Sequence, residues 1–328
     1  MRHALLLVAT LAVTRPLTSQ ATGGTLVVTN KTPATATIID VASARVLATL
    51  PTGQGPHEVV AARNGSLAVV TDYGAQVAGS TLTVIDLGRL AVARTIALGE
   101  YRRPHGVVFL PGDSIVAVTS ETNRAVLLVD VVRGQVLQAI PTEQDGSHMV
   151  GVTADGRHGF TGNIGSGTVS ELDLATGRYV RQWAVPPQPE AINVTPDGRE
   201  VWVGSNATGK VSVVDVASGT VTTAAEGFSW PYRVLFAQGA SLVVMPDYRG
   251  EVVRFIDRAS HRELGRMTFT GGGPQGVTLV GDGRTLALSL SAQGKVVFID
   301  LASRRVVREL AAGETPDGVA WTQRTIAR

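Results

Sequence analysis

The sequence contains no cysteine. This absence excludes disulfide bonds, a lipoprotein anchor, covalently attached c-type haem and thiolate metal sites. A chain of 328 residues therefore has to be stabilised by core packing alone, and it is long enough for that.

An excess of charge of one sign is also absent. The formal net charge of +2 comes from Arg2 and Arg15, so residues 22–328 carry 27 basic and 27 acidic side chains. No block of Lys or Arg stands out along the chain. A neutral balance of this kind gives no support for binding to nucleic acid or to an anionic membrane, and we expect neither as a partner.

No stretch of the sequence is as long and apolar as a transmembrane helix, so we expect no membrane span. The apolar run over residues 4–13 contains ten residues, which is too few to cross a bilayer. It follows a basic start at Arg2, and Ser19 and Ala21 offer small residues at the −3 and −1 positions of a cleavage site. This layout predicts a secretory signal peptide over residues 1–21, with an uncleaved tail as the alternative. The protein is then exported, either periplasmic or secreted.

Aromatic residues are scarce, at 5%, whereas glycine occurs 37 times, which is typical of an all-β protein with many tight turns. Residues 189–230 contain four short β-type runs, separated by turn sequences such as Asp197-Gly198 and the segment from Asp215 to Gly219. Four antiparallel strands in about 42 residues form one blade of a β-propeller. A lone blade leaves both apolar faces exposed, so it requires neighbours on either side.

Two markers repeat along the chain in phase with this unit. The Asp that ends the third strand recurs at intervals of 42 to 46 residues, at Asp40, Asp86, Asp130, Asp173, Asp215, Asp257 and Asp300. The residues that open the first strands are Pro56, Pro104, Ser147, Pro189, Pro231, Pro274 and Pro316. The repeat predicts an all-β fold, a seven-bladed β-propeller of four-stranded blades. In the sixth blade Pro246 removes a donor from the second strand, so we expect local irregularity there.

The two ends of the chain do not each make a whole blade. After the leader the chain begins with a second strand at residues 25–30, and it finishes with a first strand at residues 316–322. Pairing of these two strands joins the C-terminal strand to the N-terminal blade and closes the ring, which removes the exposed sheet edge. Residues 22–328 are therefore predicted to form a single propeller domain.

Several motifs resemble those of a known family. VVTN at Val27–Asn30 and VVTD at Val69–Asp72 look like the YVTN motif, and PHGV at Pro104–Val107, PDG at Pro196–Gly198 and VID at Val84–Asp86 accompany them. With these motifs the chain resembles the bacterial YVTN-repeat β-propeller proteins over essentially all residues after the leader. The resemblance implies a seven-bladed propeller, usually extracytoplasmic, often of unassigned role, and distantly similar to the heavy chains of quinoprotein amine dehydrogenases.

The residue after each opening position is polar in every blade. In a propeller the first strand is innermost, so these side chains are predicted to converge at one mouth of the central channel. They are His57, His105, His148, Glu190, Tyr232, Gln275 and Asp317. We interpret this ring as a ligand-binding site.

Three successive blades contribute an imidazole to this ring. His57, His105 and His148, together with nearby carboxylates, are a suitable ligand set for zinc, copper or another divalent ion. The alternative is that the His of PHGV belongs to the repeat and hydrogen-bonds a neighbouring blade. The sequence suggests no cofactor other than a divalent metal ion.

The loops on the same face differ most from blade to blade. Those that join fourth to first strands and second to third strands share this end of the ring. Their aromatic and arginine residues are of the types that interaction surfaces favour, although such residues also occur by chance in polar loops. These rim residues are Tyr73, Tyr101, Arg102, Arg103, Trp230, Tyr248 and Arg249.

Two functions fit these features. The first is a non-enzymatic binding or scaffold module outside the cytoplasm, which presents its loop-rich face and channel mouth to a protein or cell-envelope partner, or to a small ligand. The second is a metal-dependent enzyme of the propeller lyase, lactonase or dehydrogenase kind, in which Glu190 or Asp317 accepts a proton. The sequence favours the first, because no catalytic residue is identifiable apart from the repeat itself.

Overall fold

Seven four-stranded antiparallel sheets make up the computed structural model of the protein, which describes residues 23–326. The sheets are the blades of a β-propeller, and essentially no helix is present in the described residues. The predicted fold class, an all-β seven-bladed propeller, is confirmed. The predicted signal peptide over residues 1–21 lies outside the described residues. Within residues 23–326, no helix has the length and apolar character needed to cross a bilayer.

The strands of the first four blades follow one another in the chain. Blade 1 contains β1 (Thr25–Asn30), β2 (Thr35–Asp40) and β3 (Arg45–Pro51). Blade 2 contains β4 (Pro56–Ala61), β5 (Leu67–Gly74), β6 (Ala78–Asp86) and β7 (Ala91–Ala97). Blade 3 contains β8 (Pro104–Phe109), β9 (Ile115–Ser120), β10 (Ala125–Asp130) and β11 (Gln135–Pro141). Blade 4 contains β12 (Ser147–Val152), β13 (His158–Asn163), β14 (Thr168–Asp173) and β15 (Arg178–Ala184).

The last three blades repeat this order. Blade 5 contains β16 (Pro189–Val194), β17 (Glu200–Ser205), β18 (Val211–Asp215) and β19 (Val221–Ala225). Blade 6 contains β20 (Leu235–Ala237), β21 (Leu242–Asp247), β22 (Val252–Asp257) and β23 (Glu263–Thr268). Blade 7 contains β24 (Pro274–Val280), β25 (Thr285–Leu290), a short 3-10 helix (Ser291–Gln293), β26 (Lys295–Asp300) and β27 (Arg305–Ala311).

The last strand closes the ring. This strand, β28 (Pro316–Thr322), pairs antiparallel with β1 and is the innermost strand of blade 1. Thr25 lies opposite Thr322, and Val28 lies opposite Val319. Neighbouring inner strands contact one another from β24 through β28, β4, β8 and β12 to β16. The predicted closure by the C-terminal strand is therefore confirmed.

The apolar core is divided among the blade interfaces. In the described part of the chain, buried apolar side chains form seven clusters, and each cluster joins two neighbouring blades. The cluster between blades 7 and 1, for example, contains Leu26, Phe298 and Val319. Each sheet is thus buried on both faces, as the repeat requires.

The Asp after each third strand has the same structural role in every blade. One carboxylate oxygen accepts a hydrogen bond from the backbone N–H three residues later, at 2.7–2.9 Å. In blade 5 the pair is Asp215 and Ser218, and Gly219 follows with a φ of 74°. This geometry is a turn stabilised by a side chain, so these acids are structural.

Blade 6 departs from the common pattern, as the sequence predicts. Its inner strand β20 has only three residues, and Pro231 forms an isolated bridge with Asp247. Pro246 lies within β21 and has no N–H to donate, although its carbonyl accepts from the N–H of Tyr232 at 2.9 Å. The predicted irregularity is confirmed.

Candidate functional site

The three predicted histidines lie side by side near the start of β4, β8 and β12. The ring centroids of His57 and His105 are 4.3 Å apart, and those of His105 and His148 are 3.6 Å apart. His105 is fully buried and His148 is 8% exposed, whereas the side chain of His57 is 19% exposed. Three successive blades therefore build one continuous stack of imidazoles.

Glycines bring the inner strands close enough for these contacts. A Cβ at Gly106, in β8, would lie 2.7 Å from the backbone nitrogen of Val150 in blade 4. A Cβ at Gly318, in β28, would lie 2.5 Å from the carbonyl oxygen of His57 in blade 2. Since a larger residue at either position would separate neighbouring blades, the glycine after the ring position is a packing requirement of the channel mouth.

Asp317 connects blade 1 to two other ring positions and to a lysine. Its Oδ2 lies 2.7 Å from Nδ1 of His57 and 2.9 Å from Nζ of Lys31. Its Oδ1 accepts a hydrogen bond from the hydroxyl of Tyr232 at 2.9 Å. Burial alone would raise the pKa of Asp317, but the charge of Lys31 and the contact with His57 hold that pKa well below its usual range. Asp317 is thus a buried, ionised carboxylate.

Two of the three imidazoles are held in the neutral form. Burial lowers the pKa of His57 to about 4, against the opposing effect of Asp317. Burial also lowers the pKa of His105 well below its usual value. Nδ1 of His105 lies 3.2 Å from Sδ of Met149, and its Nε2 is buried without a hydrogen-bond partner. A neutral imidazole keeps a nitrogen lone pair that can bind a metal ion.

A second ring of residues, one from each blade, stands beside the first. It consists of the residue that follows the second-strand partner of each opening position, namely Lys31, Tyr73, Glu121, Ile164, Asn206, Tyr248 and Ser291. Sequence reasoning selected Tyr73 and Tyr248 as loop residues but not Lys31, Glu121 or Asn206. Strand register would have identified them. The opening position of each blade pairs with a residue near the end of the second strand, as Pro316 pairs with Asn30, so the next residue lies at the mouth.

Tyr73, from this second ring, covers the histidine stack. Its ring centroid lies 5.1 Å from that of His57 and 5.3 Å from that of His105, both in edge contact. Its hydroxyl donates to Glu121 at 3.2 Å, and Nδ1 of His148 donates to Oε2 of Glu121 at 2.7 Å. Burial would raise the pKa of Glu121, but the hydrogen bond from His148 and its charge lower it. Glu121 thus fixes the positions of Tyr73 and of His148, the last imidazole of the stack.

An ion pair crosses the channel next to the ring. Nη2 of Arg233, from blade 6, pairs with Oε1 of Glu58, from blade 2. The two side chains are only 8% and 12% exposed. Burial lowers the pKa of Arg233 to about 10, so the guanidinium is charged at neutral pH. Each of these residues lies one position after a ring residue. The two repeated sequence markers do not identify that position.

The last two ring positions are buried but make different contacts. Glu190 is 8% exposed, burial raises its pKa, and its Oε2 accepts from Nδ2 of Asn206 in the second ring. Gln275 is 6% exposed and takes part in none of the ring contacts described above. Direct contacts therefore link five of the seven predicted ring residues, which are His57, His105, His148, Tyr232 and Asp317.

One group of side chains at this mouth has the composition of a metal site. One ligand atom from each of His57, Glu58 and His105 lies within 4.8 Å of the others. This group contains two of the three predicted histidine ligands. Glu58 stands in place of His148, whose Nδ1 is occupied by Glu121. Two imidazoles and a carboxylate form a donor set that zinc uses. Metal binding itself stays a prediction.

Two arginine–aromatic pairs form part of the predicted rim. The guanidinium carbon of Arg249 lies 4.0 Å from the ring centroid of Trp230, and that of Arg103 lies 4.7 Å from the ring centroid of Tyr73. Beside Arg249 a groove of about 400 Å³ is lined by Tyr248, Arg249, Glu251, Gly271, Gly273 and Ala292. These four paired side chains are available as contact surface.

The other predicted rim residues have structural contacts. Tyr101 packs against the apolar cluster between blades 2 and 3. The backbone N–H of Arg102 donates to the side chains of Ser120 and Asn123, at 3.1 and 2.9 Å. Tyr101 and Arg102 therefore help to hold their loop against the blade.

Comparison with known proteins supports the fold. A family model described as a YNCE-like beta-propeller matches residues 111–237. No curated protein matches the chain. The chain is similar in structure to the hydrazine synthase of Kuenenia stuttgartiensis, with a TM-score of 0.74 and 18% identity over 89% of this chain and 99% of that chain. It is also similar to a functionally unknown protein from Desulfotomaculum acetoxidans, with a TM-score of 0.76 and 15% identity over 91% of this chain and 99% of that chain.

At these identities the structural neighbours show the fold alone. Together with the family model they are consistent with a YVTN-type propeller, as the repeated motifs predict. They assign no role to the residues at the channel mouth, so function is argued from the site itself.

Proposed function

We propose that this seven-bladed propeller is a non-enzymatic binding module whose binding face carries the channel mouth and its rim. One observation carries the proposal. Within residues 23–326, three buried side-chain polar atoms at this mouth have no hydrogen-bond or ion-pair partner, namely Nε2 of His105, Oδ1 of Asn206 and Nε of Arg233. Buried polar atoms of this kind are normally met by water, an ion or a ligand.

The opposite face has a different character. It is formed by hairpin turns in which polar side chains bind their own backbone, as Asp215 does with Ser218. The mouth instead gathers side chains from several blades, such as Asp317 of blade 1 with Tyr232 of blade 6. Convergence of polar groups from separate elements is typical of a ligand site.

The rim supports contact with a macromolecule. Arg249 is exposed and stacks on Trp230, and Arg103 stacks on Tyr73 at the edge of the mouth. Arginine and large aromatic residues are enriched where partners bind tightly. A protein or cell-envelope partner would contact these pairs, while a small ligand would enter between Tyr73 and Lys31, beside the partly exposed His57.

Site-specific photo-crosslinking in cells that make the protein tests this proposal. A photoreactive residue at Arg249, on the rim, is compared with one at Arg63, which is exposed in a hairpin of the opposite face. We expect a defined crosslinked species from position 249 and not from position 63. Equal yields from the two positions, or no species from either, would contradict the assignment of the binding face.

Action outside the cytoplasm is part of the proposal. It is supported by the basic start, the short apolar run and the small residues Ser19 and Ala21 of the leader. Mass spectrometry of the protein recovered from the periplasm or the medium is expected to find Thr22 as the first residue. Recovery of the full-length chain in the cytoplasmic fraction alone would contradict export.

A metal-dependent enzyme is the second candidate, favoured by the proximity of His57, Glu58 and His105. Of the two proton acceptors suggested by sequence, Glu190 suits the role better. Burial raises the pKa of Glu190 above its usual value, whereas the pKa of Asp317 is lowered by its cationic neighbours. Turnover of a lactone that requires zinc and is lost in Glu190→Gln would support this candidate; zinc-loaded protein without turnover would remove it.

A further inference from the structure

We infer that His57, Glu58 and His105 bind one divalent transition-metal ion of the zinc class at the channel mouth. The inference rests on the proposed function, since it names a ligand of the same site. Three observations support it. One donor atom of each side chain lies within 4.8 Å of the others, the second nitrogen or oxygen of each side chain has another neighbour, and the site is accessible from solvent.

The imidazole of His57 is oriented as that of a metal ligand usually is, and the imidazole of His105 has a free nitrogen. Nδ1 of His57 faces Oδ2 of Asp317 at 2.7 Å, which leaves Nε2 as the nitrogen available to an ion. In most protein metal sites a carboxylate or carbonyl binds the second nitrogen of a ligating histidine in this way. Nδ1 of His105 faces Met149, and its buried Nε2 has no partner in the described part of the chain. An ion would satisfy this atom.

Glu58 supplies the third ligand. Its Oε1 pairs with Arg233, so Oε2 is the oxygen left available to an ion. Two histidines and one glutamate leave the fourth position of a tetrahedral zinc ion open to water or to a ligand. The partly exposed side chains of His57 and Glu58 provide the entry path.

The three donors need only a small movement to close on an ion. Zinc–nitrogen bonds of about 2.0–2.1 Å place tetrahedral ligand atoms about 3.3 Å apart. The present separation of up to 4.8 Å therefore has to shrink by up to about 1.5 Å.

His148 is a positioning residue in this arrangement. Its ring stacks on His105 at 3.6 Å with the planes 31° apart. Nitrogen lone pairs lie in the ring plane, so the lone pairs of these two closely stacked rings point past each other, whereas the ring of His57 lies farther from that of His105, at 4.3 Å, and is tilted by 45°. Its Nδ1 binds Glu121, which also holds Tyr73 over the stack.

Two cations beside the site oppose the ion. Arg233 pairs with Glu58, and Lys31 pairs with Asp317. Each positive charge weakens the binding of a further cation. Replacement of Arg233 by methionine should therefore tighten zinc binding by about tenfold or more, because it removes a charge and frees the Glu58 carboxylate.

Titration of chelator-treated, full-length protein with zinc chloride tests the inference. Calorimetry is expected to find one ion per chain for the unmodified protein. Loss of binding by at least about a hundredfold is expected in His105→Asn and Glu58→Gln. The matched control is His158→Asn, since His158 is paired to Glu171 at 3.0 Å, far from the mouth in strand β13. Binding in that control is expected to be unchanged.

Two further measurements test the site even if a variant with a buried substitution fails to fold. Cobalt chloride added to the unmodified protein should produce the visible absorption of four-coordinate nitrogen and oxygen ligation, and zinc should displace it. Arg233→Met should bind zinc more tightly. Absence of the cobalt spectrum, unchanged binding in Glu58→Gln, or weaker binding in Arg233→Met overturns the site. Crosslinking at Arg249 that persists without zinc binding overturns this inference alone, whereas zinc binding without such crosslinking overturns the binding-face proposal.

Discussion

Arg233 and Glu58 face each other across the central channel, although 175 residues separate them in the chain. Arg233 belongs to blade 6 and Glu58 to β4 of blade 2, and their charged groups are in direct contact. The guanidinium also lies over the ring of Tyr232, 4.1 Å from its centroid. This pair therefore ties together two blades that are not neighbours in the ring.

Replacing one partner of the Arg233–Glu58 ion pair should lower the stability of the protein. Arg233→Met leaves the Glu58 carboxylate buried without its partner, and we expect the free energy of unfolding to fall by about 3 kcal/mol. Glu58→Gln should cost a similar amount. Chemical denaturation of both variants measures these losses.

The double variant Glu58→Gln, Arg233→Met separates the pair from the packing. We expect it to be more stable than Arg233→Met alone, because no unpaired charge remains. Losses that simply add would mean that the two side chains act independently. Added zinc should raise the stability of Arg233→Met, and should not raise that of the double variant.

Asp72 offers a test of pH dependence at the end of β5. Its carboxylate accepts from the backbone N–H of Gly53 and from the hydroxyls of Thr81 and Thr83. Burial raises its pKa to about 6, above the unfolded value of 3.8. The stability contributed by the protonated form is therefore complete below pH 3.8 and is lost as the pH rises through about 6.

Asp72→Asn should relieve this loss. The equivalent residue Asn30 donates through Nδ2 to Thr35 and Thr37, at 3.0 and 2.9 Å, and accepts from the N–H of Gly313 at 2.9 Å. An asparagine at position 72 can form the same bonds. We expect thermal denaturation to show a gain of about 1–3 kcal/mol at pH 8 that shrinks towards zero at pH 4.

Asp247→Asn is the matched control in blade 6. Asp247 accepts from three backbone N–H groups, those of Ser229, Trp230 and Gly250, at 2.7–3.0 Å. An amide NH₂ would face one of these donors, so this variant should lose about 1–3 kcal/mol at pH 8. A gain at position 247 equal to that at position 72 would contradict the distinction between the two sites.

Ring closure can be tested by removing residues 316–328. The truncated chain lacks β28, so β1 becomes an exposed edge and the cluster that contains Val319 is opened. We expect aggregation, or a monomer with a large loss of stability, in analytical ultracentrifugation and thermal denaturation. A monomeric product of unchanged stability would show that the inner strand of blade 1 is dispensable.

Gly106→Ala should disturb the mouth without changing a polar group. The added Cβ would lie 2.7 Å from the backbone nitrogen of Val150, so blades 3 and 4 must move apart. We expect a loss of about 1–3 kcal/mol in the free energy of unfolding. Zinc binding should weaken as well, because His105 lies on the displaced strand. Unchanged values in both measurements would show that this close approach is not required.

Local turn chemistry made most of the fold predictable. The Asp after each third strand and the residue that opens each first strand act within one blade, so their spacing predicts seven blades, and the unequal chain ends predict the closure by β28. The irregular blade 6 follows from Pro246, because a proline cannot donate to its neighbour.

The site was harder to predict because it depends on relations between blades. The stack of His57, His105 and His148 follows from ring position, and its members do meet. The pairing of Glu58 with Arg233 depends instead on the distance across the channel. The spacing of repeats along the sequence does not predict that distance. Lys31 and Glu121 reach the ring from loops, so their role depends on strand register.

The two ends of the described part of the chain, residues 23 and 326, lie near each other on the side of the molecule opposite the mouth. The hydroxyl of Thr25 donates to the carbonyl of Arg324 at 2.7 Å, and the indole N–H of Trp321 donates to the carbonyl of Gly23 at 3.2 Å. In a chain that lacks residues 1–22, a short linker could therefore join residue 326 to residue 23, and new ends could be cut at another hairpin, to give a circular permutant. An affinity tag or a surface attachment beside residue 23 or residue 326 would leave the mouth facing outward, which suits immobilised assays of whatever binds there.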